Sequence, residues 1–384
     1  MKILLVGNYP ADAQQSMLRF CATLDAELRK AGHEIRVISP NVQVGSKSTR
    51  NGLTKWLAYI DKFVLFLPRL RTAARWADVV HICDQAYSLY TSSLADIPKL
   101  VTCHDLLAVR CALGEFPEQK IGWTGRKYQR MIVRGLERAS IVGCDSAATR
   151  SDLLRLSNVS DNRAALVHVG YNFPYAPISD EERRQRLCRL GIGCDVPFMI
   201  HVGADVWYKN LDGVIRIFAQ LSTFPEMHDL HLVIVGNCGR DRLKALVSEC
   251  GLEDRVTKLS NLSSEDLCAL YSGARGLLYP SLCEGFGWPI IEAQACGCPV
   301  FTTDRAPMTE VGGDGAVYFE PGNYDEAADV IRRHLPRGLE MRTASIVNAR
   351  RFSAVAMAGA YVNLYSAAIG IEAGAPLGGL VSHI

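Results

Sequence analysis

The sequence predicts an α/β protein of two doubly wound parallel sheets. Three observations carry that prediction. Short continuous apolar runs, each closed by a polar or turn residue, recur along the chain. Helical spacings fall between several of them, and the rhythm breaks once, at residues 171–195, before it restarts. An apolar run of about five residues without alternation marks a parallel strand buried on both faces. Strands that alternate with helices wind into one sheet covered on both sides.

The elements follow in order. KILLVG (2–7) is the first strand, and Leu18, Phe20, Leu24 and Leu28 then recur at helical spacing over 15–31, with Gly32 placed as a left-handed helix end. EIRVISP (34–40), VVHICD (79–84), KLVTCHD (99–105) and SIVGCD (140–145) repeat the strand pattern. YNFPYAPISDEERRQRL then brings two prolines and a charged run. Beyond it, PFMIHVG (197–203), HLVIVG (231–236), RVTKL (255–259), RGLLYPS (275–281) and PVFTT (299–303) read as strands of a second sheet, with helices at 210–220, 240–250, 264–273 and 288–296. The predicted organisation is a Rossmann-like domain over 1–172, a linker over 173–195 and a second such domain over 196–355. A helix from 356 is expected to pack back towards the first domain, ahead of a loose Gly-rich tail, GIEAGAPLGGL (370–380). A chain of 384 residues is long enough for two such cores.

Charge and cysteine usage narrow the function. With 42 basic and 40 acidic residues the chain lacks the bias of a nucleic-acid binder, so no nucleic-acid partner is expected. Its 13 cysteines form no C-x-x-C pair, and they read as buried thiols of a reducing, cytoplasmic compartment. The apolar run in MKILLVGNYP is too short for a signal sequence, and no run of about 18 apolar residues suggests a membrane span.

Ligands of doubly wound sheets bind at the carboxyl ends of strands, and two such domains are expected to face each other across a cleft. The loop HVGADVWYKN (201–210) ends a strand at Gly203 and opens a helix at Lys209 and Asn210. A helix N-terminus with a lysine suits a diphosphate, although a solvated lysine at a helix start explains the same pattern. In SLCEGFGWPIIEAQACGCPVF (281–301), Glu284 and Glu292 stand with seven residues between them, Gly285, Phe286 and Gly287 first. The glycines let backbone amides approach a ligand, and a proline starts the helix carrying Glu292. A carboxylate there can accept from both hydroxyls of a ribose. A capping carboxylate beside a buried salt bridge is the plainer alternative. His104 ends a strand in TCHD, where it either meets a ligand or is satisfied by the adjacent Asp105. Gly7 and Asn8 end the first strand and are placed to meet the donor or the acceptor. Ser146 reads as a helix cap.

The chain resembles the family-4 retaining glycosyltransferases of the GT-B fold. The likeness is carried by EGFGWPIIEAQACGCPV (284–300), SSEDLCALYSGARGLLYPS (263–281), VGADVWYKN (202–210), AGHEIRV (31–37) and TCHD (102–105). It implies a second domain that binds a nucleotide-diphosphate sugar. Lys209 would contact the diphosphate, Glu292 the ribose and Glu284 the transferred sugar. Phe286 and Gly287 would supply backbone donors, and His104 would lie close to the reacting sugar. One departure stands out: where many relatives carry an arginine after the loop glycine, this chain has Ala204 and then Asp205.

The chemistry expected is transfer through an oxocarbenium-like transition state, with the leaving diphosphate stabilised by Lys209, loop amides and a helix N-terminus. No Asp-x-Asp pair occurs, so metal independence is expected and no cofactor is needed. The family implies retention. Residues 46–76 hold Lys47, Arg50, Lys55, Lys62, Arg69, Arg71 and Arg75 among aromatic and aliphatic residues. Such a segment either lies on an anionic membrane surface or packs on its domain with a solvated basic face. On the first reading the enzyme is peripheral at the inner face of the membrane. Its acceptor is then a glycan or lipid-linked glycan of cell-surface polysaccharide or lipopolysaccharide synthesis. Three rivals remain: a nucleotide-sugar epimerase or hydrolase, a silent binding protein on the same scaffold, and a dinucleotide oxidoreductase. The last lacks its fingerprint, since GNYPAD follows the first strand.

Overall fold

Burial along the strands shows which are central. In the computed structural model, which describes residues 1–12, 14–45, 52–94, 97–193 and 195–370, β1 (Lys2–Val6) is buried from Ile3 onward. It lies between β2 (Glu34–Ile38) and β3 (Val79–Ile82), paired in parallel with both. Edge strand β2 buries only Ile35 and Ile38. The sheet continues through β4 (Lys99–Cys103) and β5 (Ile141–Cys144) to β6 (Ala164–Leu166), in the order β2-β1-β3-β4-β5-β6.

The second sheet has the order β12-β11-β10-β7-β8-β9. Its strands are β7 (Phe198–Val202), β8 (His231–Val235), β9 (Val256–Leu259), β10 (Gly276–Tyr279), β11 (Val300–Thr303) and β12 (Ala316–Phe319). Its pairings are all parallel. The direction of winding reverses between β7 and β10, and in such sheets that switch point is where ligands bind. Helices Leu211–Leu221 and Trp288–Ala295 start from the loops at this point.

The chain divides into two compact units, Met1–Asn172 together with the chain from Ser353 on, and Phe173–Phe352. The expected linker at 173–195 is not free chain: it contains helix Asp180–Arg189, capped by Ser179, with Leu187 buried and Arg186 paired to Asp266 at 3.1 Å. That segment belongs to the second unit. Helix Ala354–Ile369 belongs to the first, where it buries Tyr361 and Tyr365. The Tyr361 hydroxyl lies 2.7 Å from Thr102 Oγ1, and that of Tyr365 lies 2.7 Å from His81 Nδ1. The Gly-rich tail beyond residue 370 lies outside the described residues.

Against the expectation of no apolar span, the stretch Tyr324–Ile369 reaches a mean hydropathy of 1.3, high enough for one. It is interrupted into helices Tyr324–His334, Gly338–Ala349 and Ala354–Ile369, each of which turns apolar residues into a core.

The basic segment at 46–76 also differs from its expectation. Residues 46–51, with Lys47 and Arg50, and the side chain of Lys55 lie outside what is described. The remainder is a helix, Gly52–Ile60 and Phe66–Ala74 joined by a π-helical turn at Asp61–Leu65. Lys62 is buried there, 2.5 Å from Asp12 Oδ2, so it belongs to no solvated face. Asp61 is buried too, accepting from the Tyr9 hydroxyl at 2.8 Å and from the amides of Gln43, Val44 and Gly45. Four donors on one carboxylate compensate the cost of removing it from water.

Candidate functional site

The site in the second unit is built by two loops held against each other. After β7, Gly203 donates to the Val235 carbonyl at 3.0 Å. Gly236 runs alongside with φ of 145°, and a Cβ there would stand 2.0 Å from the Gly203 oxygen, so the backbones can only meet without a side chain. A short turn at Trp207–Lys209 leads to Asn210, which adopts the left-handed conformation (φ 53°, ψ 52°). Asn210 caps helix Leu211–Leu221, its Oδ1 accepting from Gly213 at 3.1 Å, while its Nδ2 donates to the Pro280 carbonyl at 3.0 Å. The Leu282 amide donates to the Tyr208 carbonyl at 2.8 Å. The loops after β7 and β10 are thereby fastened at both ends.

Between those fastenings three side chains close a triangle. Lys209 Nζ lies 2.8 Å from Glu284 Oε1 and also donates to the Tyr279 hydroxyl, which donates to the same Glu284 oxygen at 2.7 Å. Burial, reinforced by the Glu284 charge, pushes the Tyr279 phenol well above its ordinary pKa, so it stays a neutral donor. An ammonium has three N–H groups. Two are engaged here, which leaves the third for an incoming anion. Beneath the loop, His201 Nδ1 meets the Leu278 carbonyl at 2.9 Å, and burial lowers its pKa to about 4. It is a neutral histidine with its proton on Nδ1. The two residues expected on different parts of the ligand, Lys209 and Glu284, thus form one unit.

Glu292 follows on the helix that the same loop opens. Helix Trp288–Ala295 is opened by Gly287 in a left-handed conformation (φ 104°, ψ 51°), with proline in its first turn. Glu292 lies in the second turn, buried, with its Oε2 accepting from the Tyr271 hydroxyl at 3.2 Å. Burial and this carboxylate hold the Tyr271 phenol protonated. Phe286 is buried edge-on to Phe352 at 5.6 Å, so its side chain is core; Gly285 is half-buried beside it.

At the departure noted above, Asp205 Oδ1 accepts from Arg242 at 2.8 Å and Asp205 Oδ2 from the Gly239 amide at 3.3 Å. Arg242 also donates to Asp212 at 2.8 Å. A cation therefore does reach this loop, from helix Arg240–Glu249, but it arrives paired with two carboxylates.

In the first unit, Asn8, Asp84, His104 and Asp145 follow β1, β3, β4 and β5. His104 is not satisfied by Asp105, whose Oδ1 instead accepts from the Leu107 amide at 3.0 Å. Its Nδ1 meets Asp145 Oδ2 at 2.6 Å and its Nε2 the Cys83 carbonyl at 2.9 Å. Both partners are acceptors, so both ring nitrogens must carry protons. Burial opposes that charge, but Asp145 and the hydrogen bonds outweigh it and raise the His104 pKa to about 9. An imidazolium cannot act as a base; it is a fixed positive charge at the end of β4. Gly7 donates to the Ile38 carbonyl at 2.9 Å, and a Cβ on it would meet Ser39 Oγ at 2.8 Å. Asn8 Nδ2 donates to Asp84 Oδ2 at 2.5 Å and Gln14 Oε1 at 2.8 Å. Asn8 Oδ1 and Asp145 Oδ1 are buried without partners. Ser146 caps helix Ala147–Leu156, accepting from the Thr149 amide at 3.1 Å.

Tyr271, Tyr279, Asp84 and Asp145 were not singled out from the sequence. The signal that flags His104, a polar residue closing an apolar run, applies equally to Asp84, Asp145 and Tyr279. Tyr271 lies inside a helix and carries no such mark.

Comparison with known proteins places these features in a family. Residues 188–352 match Glycosyl transferases group 1, and residues 17–173 match Glycosyltransferase Family 4. The O-antigen chain mannosyltransferase B of Escherichia coli is 27% identical over 364 residues, covering 91% of this chain and 92% of the relative. A D-inositol 3-phosphate glycosyltransferase of Corynebacterium aurimucosum is 29% identical over 293 residues, covering 73% and 68%. Among solved structures, the HepE protein of Anabaena, in complex with UDP and glucose, superposes with a TM-score of 0.74 at 18% identity, covering 96% of this chain and all of the other. Sucrose-phosphate synthase of Thermosynechococcus elongatus gives 0.77 at 21% identity, over 97% of this chain and 100% of its own. The chain therefore belongs to the group 1, family 4 glycosyltransferases, and it is a glycosyltransferase of the GT-B fold.

Proposed function

We propose that the chain moves a sugar from a nucleotide-diphosphate sugar to a glycan or lipid-linked acceptor, with retention and without a metal. The observation that carries this reading is the Lys209–Tyr279–Glu284 triangle at the switch point of the second sheet, with Glu292 buried on the helix that follows the same loop. Lys209 keeps one N–H for the leaving diphosphate, and Tyr279 holds the ammonium in place before any charge develops. Glu284 sets the charge beside the transferred sugar, and Glu292 receives the ribose hydroxyls. Gly285, Phe286 and Gly287 offer backbone amides, with Asn210 fixing the loop. In the first unit, Gly7, Asn8 and the His104 imidazolium belong to the acceptor end of the reaction. The relative named for O-antigen mannosyl transfer supports a surface-glycan acceptor, which the enzyme would meet at the inner face of the membrane.

The test is transfer itself. Purified enzyme is given UDP- and GDP-sugars with a lipid-linked glycan extract, with and without EDTA, and the product anomer is read by NMR. An α-donor is expected to give an α-linked product at an unchanged rate in EDTA. Lys209→Ala is expected to lower kcat by about a hundredfold or more, as loss of one preorganised charge donor does. Inversion, or loss of activity in EDTA, would contradict the mechanism. Donor breakdown that ignores the acceptor would show an epimerase or hydrolase instead.

A further inference from the structure

Helix Trp123–Glu137 has two faces of opposite character. Ile132, Gly135 and Leu136 are buried, and a Cβ on Gly135 would lie 2.5 Å from the Ser88 backbone, so the helix lies flat on the segment Gln85–Ser93. The opposite face exposes Arg126, Lys127, Arg130 and Arg134 in one stripe at helical spacing. Glu137 is the one acid in the helix. Lys127, Arg130 and Arg134 form no ion pair with the described residues; Lys127 Nζ stands 5.5 Å from the Trp123 ring centroid.

The same face is apolar where it should be polar. Trp123 is 72% exposed, and Met131 is exposed one turn before Arg134. The neighbouring helix runs alongside: Tyr128 packs on Tyr59 at 5.7 Å and on Phe63 at 6.1 Å. That helix exposes Trp56, Ile60 and Val64. Between the two lies a groove of about 320 Å³ lined by Phe63, Leu67, Met131 and Arg134. Exposed large apolar side chains rimmed by basic residues mark an interaction surface.

We propose that these two helices form a docking face for an anionic lipid bilayer. The arginines and Lys127 would meet headgroup phosphates, and Trp56, Trp123 and Met131 would enter the interface, where amphipathic aromatic rings settle. The charge complementarity selects anionic lipid, and the apolar residues select a bilayer over a soluble polyanion. This deepens the proposed reaction, because a lipid-linked acceptor would be met at that surface. It also moves the contact from the 46–76 segment alone, whose Lys62 is buried, to a surface shared with Trp123–Glu137.

Flotation of the full chain with vesicles tests it. Phosphatidylcholine vesicles are compared with vesicles in which a third of the lipid is phosphatidylglycerol. The wild type is expected to float with the anionic vesicles alone. The triple variant K127S/R130S/R134S is expected to lose roughly a hundredfold in vesicle affinity, at about fivefold per basic residue. Trp123→Ser is expected to weaken binding at unchanged charge. All four positions are exposed, so melting curves should match the wild type. Absence of the wild type from anionic vesicles, a triple variant that binds normally, or binding indifferent to Trp123→Ser would each overturn the proposal. Nucleotide-induced stabilisation in the same variants should be unchanged. If no nucleotide stabilises even the wild type while vesicle binding holds, the transfer reading fails and the docking face stands.

Discussion

His104 and His81 lie in the same sheet, both buried, and their surroundings drive them to opposite charge states. His81 faces two hydroxyls, Tyr365 and Thr102, each able to donate or accept, and burial lowers its pKa to about 3. His104 faces only acceptors and is raised to about 9. The consequences for stability have opposite signs. A raised folded pKa gives stability that is complete below the unfolded value of 6.5 and lost as pH rises through about 9. A lowered one, as in His81 and His201, gives stability complete above 6.5 that falls as pH drops towards about 3 and about 4. Melting temperature measured against pH is therefore expected to peak near the ordinary histidine pKa. His104→Gln should flatten the alkaline limb, removing roughly 3 kcal/mol of pH dependence. An alkaline limb unchanged in that variant would show that the imidazolium is not its source.

At the scale of the element, the sequence was readable wherever a strand is central. The ten strands predicted from apolar runs all lie where they were expected, within a residue or two at the ends. The two that were missed, β6 and β12, are edge strands of three and four residues. Both are apolar, but three or four residues are too few for the run to stand out from its surroundings, whereas the longer edge strand β2 was legible. The helix at Asp180–Arg189 was hidden because ten mostly charged residues between prolines look like a linker; a single buried leucine anchors it. Which elements would be chemically active was legible from glycine and strand-end positions. Which side chains would touch was not, because Lys209 and Glu284, or His104 and Asp145, are joined only by strand order. Asn210 tests the reading at this scale. It supplies both a cap and a left-handed turn, so Asn210→Ala is expected to cost about 1–2 kcal/mol and Asn210→Gly markedly less. Equal losses in denaturant melts would mean that the left-handed backbone conformation carries no part of the cost.

At the scale of the molecule, the chain leaves its first unit at Asn172 and re-enters it at Ser353. The returning helix completes the first sheet's cover, and its tyrosines supply hydroxyls to buried His81 and Thr102. Ending the chain after Phe352 would take one hydrogen-bond partner from each of those groups and strip an apolar face. Such a truncation is expected to lose the cooperative melting of the first unit while the second, with its nucleotide site, still melts as one transition. A truncated protein with two intact transitions would show that the helix is dispensable.

The central claim is that the loops after β7 and β10, with Glu292, hold a nucleotide diphosphate without metal. The direct measurement is thermal stabilisation of the full chain by UDP, GDP, ADP and dTDP, each with EDTA, in wild type and Glu292→Ala. The expected result is stabilisation by one nucleotide that survives EDTA and disappears in the variant. Stabilisation that needs a divalent metal, or that persists undiminished in Glu292→Ala, would contradict it.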